Sequence, residues 1–214
     1  MKKFDRALLP EAPDLSFEAA LWGKGLQWVA GVDEAGRGAL AGPVAAGAAI
    51  LPAGGQTAAA LSGLKDSKLL SPAERAYWRE KLHDLAFDFS VGFASNQEID
   101  ELGILPATRL AIVRAIAGLQ TRPQHLLVDY LALPEVAIPQ TPLVKGDARS
   151  LSIAAAAVLA KTARDALMCE FALEYPEYGF ELHKGYATVA HRRAIGRLGE
   201  CPLHRKSFQY SQLD

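Results

Sequence analysis

Val32-Asp33-Glu34-Ala35-Gly36-Arg37-Gly38 is the stretch on which the reading of this chain turns. It joins a compact apolar run, Trp28 to Val32, to a glycine-rich connection. A second apolar run, Val44 to Leu51, follows and is closed by Pro52, Gly54 and Gly55. Two such runs read as a pair of strands. The acids at the end of the first are its unusual feature. Carboxylates flanked by apolar neighbours lose water, and must be paired, protonated or metal-bound. Successive strand side chains point to opposite faces. Asp33 and Glu34 therefore serve one site only if the strand ends or kinks there, which the glycines permit.

Two further acids stand at strand ends. Asp129 follows Leu126 to Val128, and Asp147 lies just past Val144. In α/β sheets, sites collect at the ends of strands. Any one of these acids alone reads as a turn former or a helix cap. Converging without matching cations, all four would make a hard-oxygen donor set suited to Mg²⁺ or Mn²⁺. Gly36-Arg37-Gly38 with Gly42 comes close to a dinucleotide fingerprint. The third glycine falls one residue late, however, and two acids stand where a pyrophosphate would sit.

Outward from this stretch the pattern alternates between strands and helices. A short helical stretch, Phe17 to Trp22, lies in an N-terminal arm of residues 1–25. Ser71-Pro72-Ala73-Glu74 opens a helix to about Leu85, with Ser71 and Glu74 as a capping box. Phe87 to Ala94 alternates as a strand. Asn96 caps a short helix to Leu102, and a longer helix follows Gly103 to about Gly118. Its apolar side is Leu105, Leu110, Ile112, Val113 and Ile116. His125 to Tyr130 and Thr141 to Lys145 read as strands. Ser150 precedes a long helix to about Tyr175, apolar all round from Ile153 to Ala160 and hence buried there. A last helix spans Thr188 to Leu198. The expectation is α/β, with one domain over residues 26–214 and a mixed five-stranded sheet flanked by helices.

Composition limits the function classes. The chain has 214 residues, half of them hydrophobic, and a formal charge of −1, so nothing global advertises a nucleic-acid partner. The distribution says more. Between His183 and Lys206 stand Lys184, Arg192, Arg193, Arg197, Arg205 and Lys206, against Glu200 alone. Such a stretch is either an ordinary solvated helix face or a surface for phosphates. Cys169 and Cys201 are too few for a disulfide framework or a four-cysteine zinc site, and His183, His191 and His204 lack tight ligand spacing. No apolar run has membrane-spanning length. The expectation is a soluble, cytoplasmic protein that is a monomer.

Over Val29 to Phe208 the chain resembles ribonuclease HII. The resemblance rests on Val32 to Gly38, on Ala41-Gly42-Pro43-Val44, and on Lys65-Asp66-Ser67-Lys68-Leu69-Leu70. It continues in Leu127-Val128-Asp129, Lys145-Gly146-Asp147, and the helix from Ser152 through Lys161 to Arg164-Asp165. His183-Lys184-Gly185-Tyr186 and His204-Arg205-Lys206-Ser207-Phe208 complete it. The resemblance implies an RNase H-like fold with a C-terminal helical segment, from about residue 176, that binds substrate. It implies a nuclease for RNA–DNA hybrids and for single ribonucleotides in duplex DNA, using two divalent metals held by Asp33, Glu34, Asp129 and Asp147. Gly36, Arg37 and Gly38 would contact the 2′-hydroxyl, Tyr186 would stack on the next sugar, and Ser67 and Lys68 would bind phosphate. Lys184 and Arg193 are the basic-stretch residues singled out for duplex phosphates. The chain departs from the family at Tyr130, where glycine is usual after the third acid. Two other readings stand beside this one: a non-catalytic nucleic-acid-binding module of the same fold, and a nucleotide-cofactor enzyme built on the glycine loop.

Overall fold

The computed structural model describes residues 9–211. The first eight residues of the expected arm, with Lys2, Lys3, Asp5 and Arg6, lie outside the described residues, as do the last three of the C-terminal segment. Helix α1, Ser16–Trp22, leads into β1, Val29–Ala35, and β2, Val44–Ile50. Helices α2, Gly55–Ala60, and α3, Pro72–Leu85, precede β3, Asp88–Ala94. Helices α4, Asn96–Leu102, and α5, Ile104–Ala117, precede β4, His125–Asp129, and β5, Gln140–Leu143. Helices α6, Leu151–Glu174, α7, Phe180–His183, and α8, Val189–Leu198, complete the order. The mixed five-stranded sheet runs β3-β2-β1-β4-β5. Its β1–β2 and β2–β3 pairs are antiparallel, and β1–β4 and β4–β5 are parallel.

Glycines bring the helices close to the sheet. A Cβ at Gly31 or Gly47 would collide with the α6 backbone at Ser152 or Ala156, and one at Gly92 with the α5 backbone at Ala111. Helix α6 therefore lies directly on β1 and β2, and α5 on β2 and β3. Close approach also explains the face that α5 buries. Ala107, Thr108, Ala111, Ile112 and Ala115 are buried, while Leu105, expected on the apolar side, is exposed. Small side chains win because the gap is narrow.

Two other local expectations need correction. Ser95, not Asn96, caps α4, in a capping box with Glu98. The Asn96 amide instead donates to the carbonyl oxygens of Pro202 and His204. Helix α2 follows β2, where only a strand end was expected. The capping box at Ser71 and Glu74 forms as read.

The helical part of the arm is docked. Glu18 is fully buried, and its carboxylate accepts from the Ser150 hydroxyl at 2.6 Å and from the backbone N–H and hydroxyl of Ser152 at 2.9 and 2.6 Å. It sits at the N-terminus of α6, where unpaired N–H groups and the helix dipole favour an anion.

Candidate active site

Strand β1 brings the acids together near its C-terminal end. Its antiparallel register with β2 runs unbroken through Asp33, Glu34 and Ala35. Its parallel register with β4 stops at Val32–Val128, so the next residues, Asp33 and Asp129, come side by side where β4 ends and β1 runs on to Ala35. β1 ends at Ala35, one residue past Glu34, as expected of a strand that ends at the acids. What changes there is the loss of the β4 partner. The backbone N–H of Glu34 donates to Asp33 Oδ1 at 2.7 Å.

Asp147 arrives from the other side. It sits in a one-turn 3₁₀ helix, Gly146–Ala148. That turn is held by the Gly146 N–H, which donates to Asp129 Oδ1 at 2.6 Å. A Cβ at Gly146 would press on the end of the Ile153 side chain, which would have to shift.

The charges feel one another. Burial pushes the Asp33 carboxyl well above the ordinary value, and Glu34, Asp129 and Asp147 push it further. Burial also raises Asp129, against the bond from Gly146. Asp147 is raised to about 6 by burial, Asp66 and Asp129. Two cations stand at the rim, more than the sequence suggested. Arg37 pairs with Glu34 at 2.9 Å, and the exposed Lys68 reaches Asp147 at 3.9 Å. Burial works against the Lys68 ammonium, but Asp33, Asp66, Asp147 and Asp129 outweigh it and hold its pKa above the usual lysine value.

Among the described residues no three acids or imidazoles are already drawn to coordination distance. The donor set nevertheless fits a divalent cation. It offers only carboxylate oxygens, several of them destabilised by burial and by one another, and a hard cation relieves that cost.

A cleft of about 520 Å³ lies beside the acids, lined by Glu34, Gly36, Arg37, Gly38, Ser67, Lys68, Lys161 and Tyr186, with Ile104 and Phe208. Lys161 Nζ and Arg164 Cζ each lie 5.3 Å from the centre of the Tyr186 ring. Tyr186 also walls a second cleft of about 510 Å³, which Lys184 lines with Arg75, Arg79 and Lys161. Arg193 is exposed on α8 and lines neither cleft. Arg205, counted with the basic surface, is buried, so it cannot meet phosphate. Lys161, Ile104 and Phe208 were not singled out as site residues. Only the fold brings them to the cleft, although Lys161 ends the apolar half of α6.

The family model for ribonuclease HII matches residues 30–211. The chain belongs to the ribonuclease HII family. It is 51% identical over 205 residues to ribonuclease HII of Chlamydia trachomatis serovar A, covering 95% of this chain and 92% of that one. It is 50% identical over 196 residues to that of Synechococcus sp. (strain JA-3-3Ab), covering 92% and 88%. Among solved structures, ribonuclease H2 from Pyrococcus horikoshii OT3 superposes with a TM-score of 0.69 at 28% identity, over 85% of this chain and 94% of that one. Bst-RNase HIII, solved in complex with Mn²⁺, shares the fold at a TM-score of 0.63 and 18% identity, over 80% and 63%. The fold is RNase H-like, and the chain is a metal-dependent endonuclease that hydrolyses the RNA strand of RNA–DNA hybrids. No described helix is long and apolar enough to cross a membrane.

Proposed function

We propose that the enzyme also incises duplex DNA on the 5′ side of a single embedded ribonucleotide, leaving a 3′-hydroxyl and a 5′-phosphate. The observation that carries this is that Glu34, the Gly36-Arg37-Gly38 loop and Tyr186 line one cleft. The loop follows the acids directly, so a sugar read by its backbone lies next to the reacting phosphate. A 2′-hydroxyl is the feature that separates RNA from DNA at such a position.

Asp33, Glu34, Asp129 and Asp147 would hold two divalent cations. When bound, these supply an activated water and neutralise the leaving 3′-oxygen. The Mn²⁺ complex of the HIII relative supports a divalent-cation site in this fold. The residues do the rest. Asp33 and Asp147 are buried, which limits the water that reaches their carboxylates. Arg37, tied to Glu34, fixes the loop against them. Lys68 and Ser67 line the same cleft and would bind the strand's phosphate, and Tyr186 would offer a flat face to the following sugar. A duplex with one embedded ribonucleotide, incubated with Mg²⁺, should give one cut 5′ to it. Cleavage of long hybrids with no cut at the single ribonucleotide would overturn the proposal.

A further inference from the structure

Arg164 and Arg205 are the two largest fully buried side chains among the described residues, and neither makes a salt bridge there. A buried cation is costly unless its donors are satisfied. Here backbone carbonyls do this. Arg205 donates to the carbonyls of Gly36 at 2.8 Å, Arg37 at 2.9 Å, Gly42 at 2.9 Å and Pro43 at 3.1 Å. Arg164 donates to Pro43 at 2.8 Å, Lys184 at 2.9 Å and Ala41 at 3.0 Å. The pair thus clamps the glycine loop to the turn that carries Tyr186. The fit is tight enough that a Cβ at Gly36, whose φ is +95°, would collide with Arg164.

The clamp decides which way the loop's peptides face. A trans peptide points its N–H away from its C=O. With the carbonyls of Gly36 and Arg37 turned inward to Arg205, the N–H groups of Arg37 and Gly38 turn outward. Neither has an acceptor among the described hydrogen bonds. Two unpaired donors on a cleft wall await an acceptor.

We propose that Arg205, with Arg164 beside it, is a positioning residue for ribose recognition: it holds the N–H groups of Arg37 and Gly38 toward the 2′-oxygen and the adjoining phosphate. The two buried positive charges lack a carboxylate partner, so they add a field that attracts that phosphate. This rests on the ribose-reading role proposed for the loop.

The test compares affinities for a short duplex with one ribonucleotide and for the same duplex entirely in DNA. Binding is read by fluorescence anisotropy in EDTA, on wild type, Arg205→Lys and Arg205→Gln, with each variant's folding checked by its melting curve. Lysine keeps the charge but lacks the planar fork that spans several carbonyls. Losing one aligned donor should cut the ribonucleotide preference roughly threefold to tenfold in both variants, while affinity for all-DNA duplex changes far less. Gly38→Pro deletes one of the donors and leaves Arg205 in place, so it reads the same loss if the arginine variants do not fold. Variants that keep the wild-type preference overturn the role of Arg205. A wild type that binds both duplexes equally overturns the loop's reading role itself.

Discussion

Asp129 Oδ1 and the backbone N–H of Gly146 are 2.6 Å apart, and this hydrogen bond ties the end of β4 to the turn that carries Asp147. With Asp33 beside Asp129 on β1, three acids from distant parts of the chain are held at one sheet end by backbone alone. The arrangement costs stability, because burial raises all three carboxyls, and Asp129 and Asp147 raise Asp33 further while Asp129 raises Asp147.

Asp33→Asn should therefore separate stability from activity. Asp33 is raised above its ordinary value of 3.8 by burial first and by its neighbours second. A raised carboxyl contributes stability below its unfolded pKa and loses it as pH rises through the folded one. In EDTA at neutral pH the variant should melt above wild type, and the gap should close as pH falls toward 4. With Mg²⁺ its cleavage should fall by more than the roughly 10–100-fold typical of groups that merely support a ligand. A variant that melts lower in EDTA would show that Asp33 is paired and unstrained.

The C-terminal segment should be acid-labile through its histidines. His204 Nδ1 accepts the Cys201 N–H at 2.9 Å, so His204 carries its proton on Nε2, 3.1 Å from His191 Nε2. His191 then donates from Nδ1 to the Tyr186 carbonyl at 3.0 Å. His183 stacks on His191. This relay works only with neutral rings. Burial lowers His191 to about 4, and also lowers His183 and His204. A depressed histidine contributes stability above its unfolded value, here 6.5, and loses it as pH falls through the folded one. The melting temperature should drop between pH 6.5 and 4, and His191→Asn should flatten that slope. An unchanged slope would mean that these rings are not what titrates.

What could be read from the sequence was what chemistry or local geometry imposes on residue type. Acids flanked by apolar residues at or just past strand ends are an unusual choice, so Asp33, Glu34, Asp129 and Asp147 stood out as candidate metal ligands. Capping imposes Ser71 and Glu74 on the start of α3. Long-range packing left no such mark. Arg205 looks like any other member of a basic stretch until the fold surrounds it with carbonyls. Glu18 reads as one scattered charge, though it locks α6. Ser95 and Asn96 are adjacent and both suit a cap, so only the tertiary partner of Asn96 decides between them. The alanine face of α5 hides behind larger neighbours because a narrow gap, set by Gly92 on another element, selects size over hydrophobicity.

Tyr130→Gly should be nearly silent in cleavage. Tyr130 holds a φ of +57° and exposes its ring, but Asp129 before it stays in β4 and keeps its bond from Gly146. The left-handed backbone costs a non-glycine residue about 1–2 kcal/mol. Glycine removes that cost, offset by about 0.5–1 kcal/mol of extra unfolded-state freedom. The variant should be as stable as wild type or slightly more so, with hybrid cleavage within about threefold, a change worth under ~1 kcal/mol. A tenfold loss in a stable variant would make the Tyr130 ring a substrate contact.

Tyr186→Ala tests selectivity. The ring lies against Lys161 and Arg164, and its backbone is held by the bridge to Ala39 and by His191. Removing the ring should leave that backbone in place, since none of the bonds that position it involves the side chain. What it removes is a flat surface in the cleft, on which the deoxyribose following a ribonucleotide would pack and a second 2′-hydroxyl would crowd. A long hybrid offers many registers, all with ribose at the next position, and gains little from the ring. A single ribonucleotide offers one register and depends on it. Burying the apolar face of a sugar on the ring is worth on the order of 1 kcal/mol by area, so kcat/KM at the single ribonucleotide should fall by about fivefold or more, and on the hybrid far less. Tyr186→Phe, which keeps the ring, should retain most of the difference between substrates. An equal fractional loss on both substrates in Tyr186→Ala would assign Tyr186 to packing against Arg164 instead of to reading the junction.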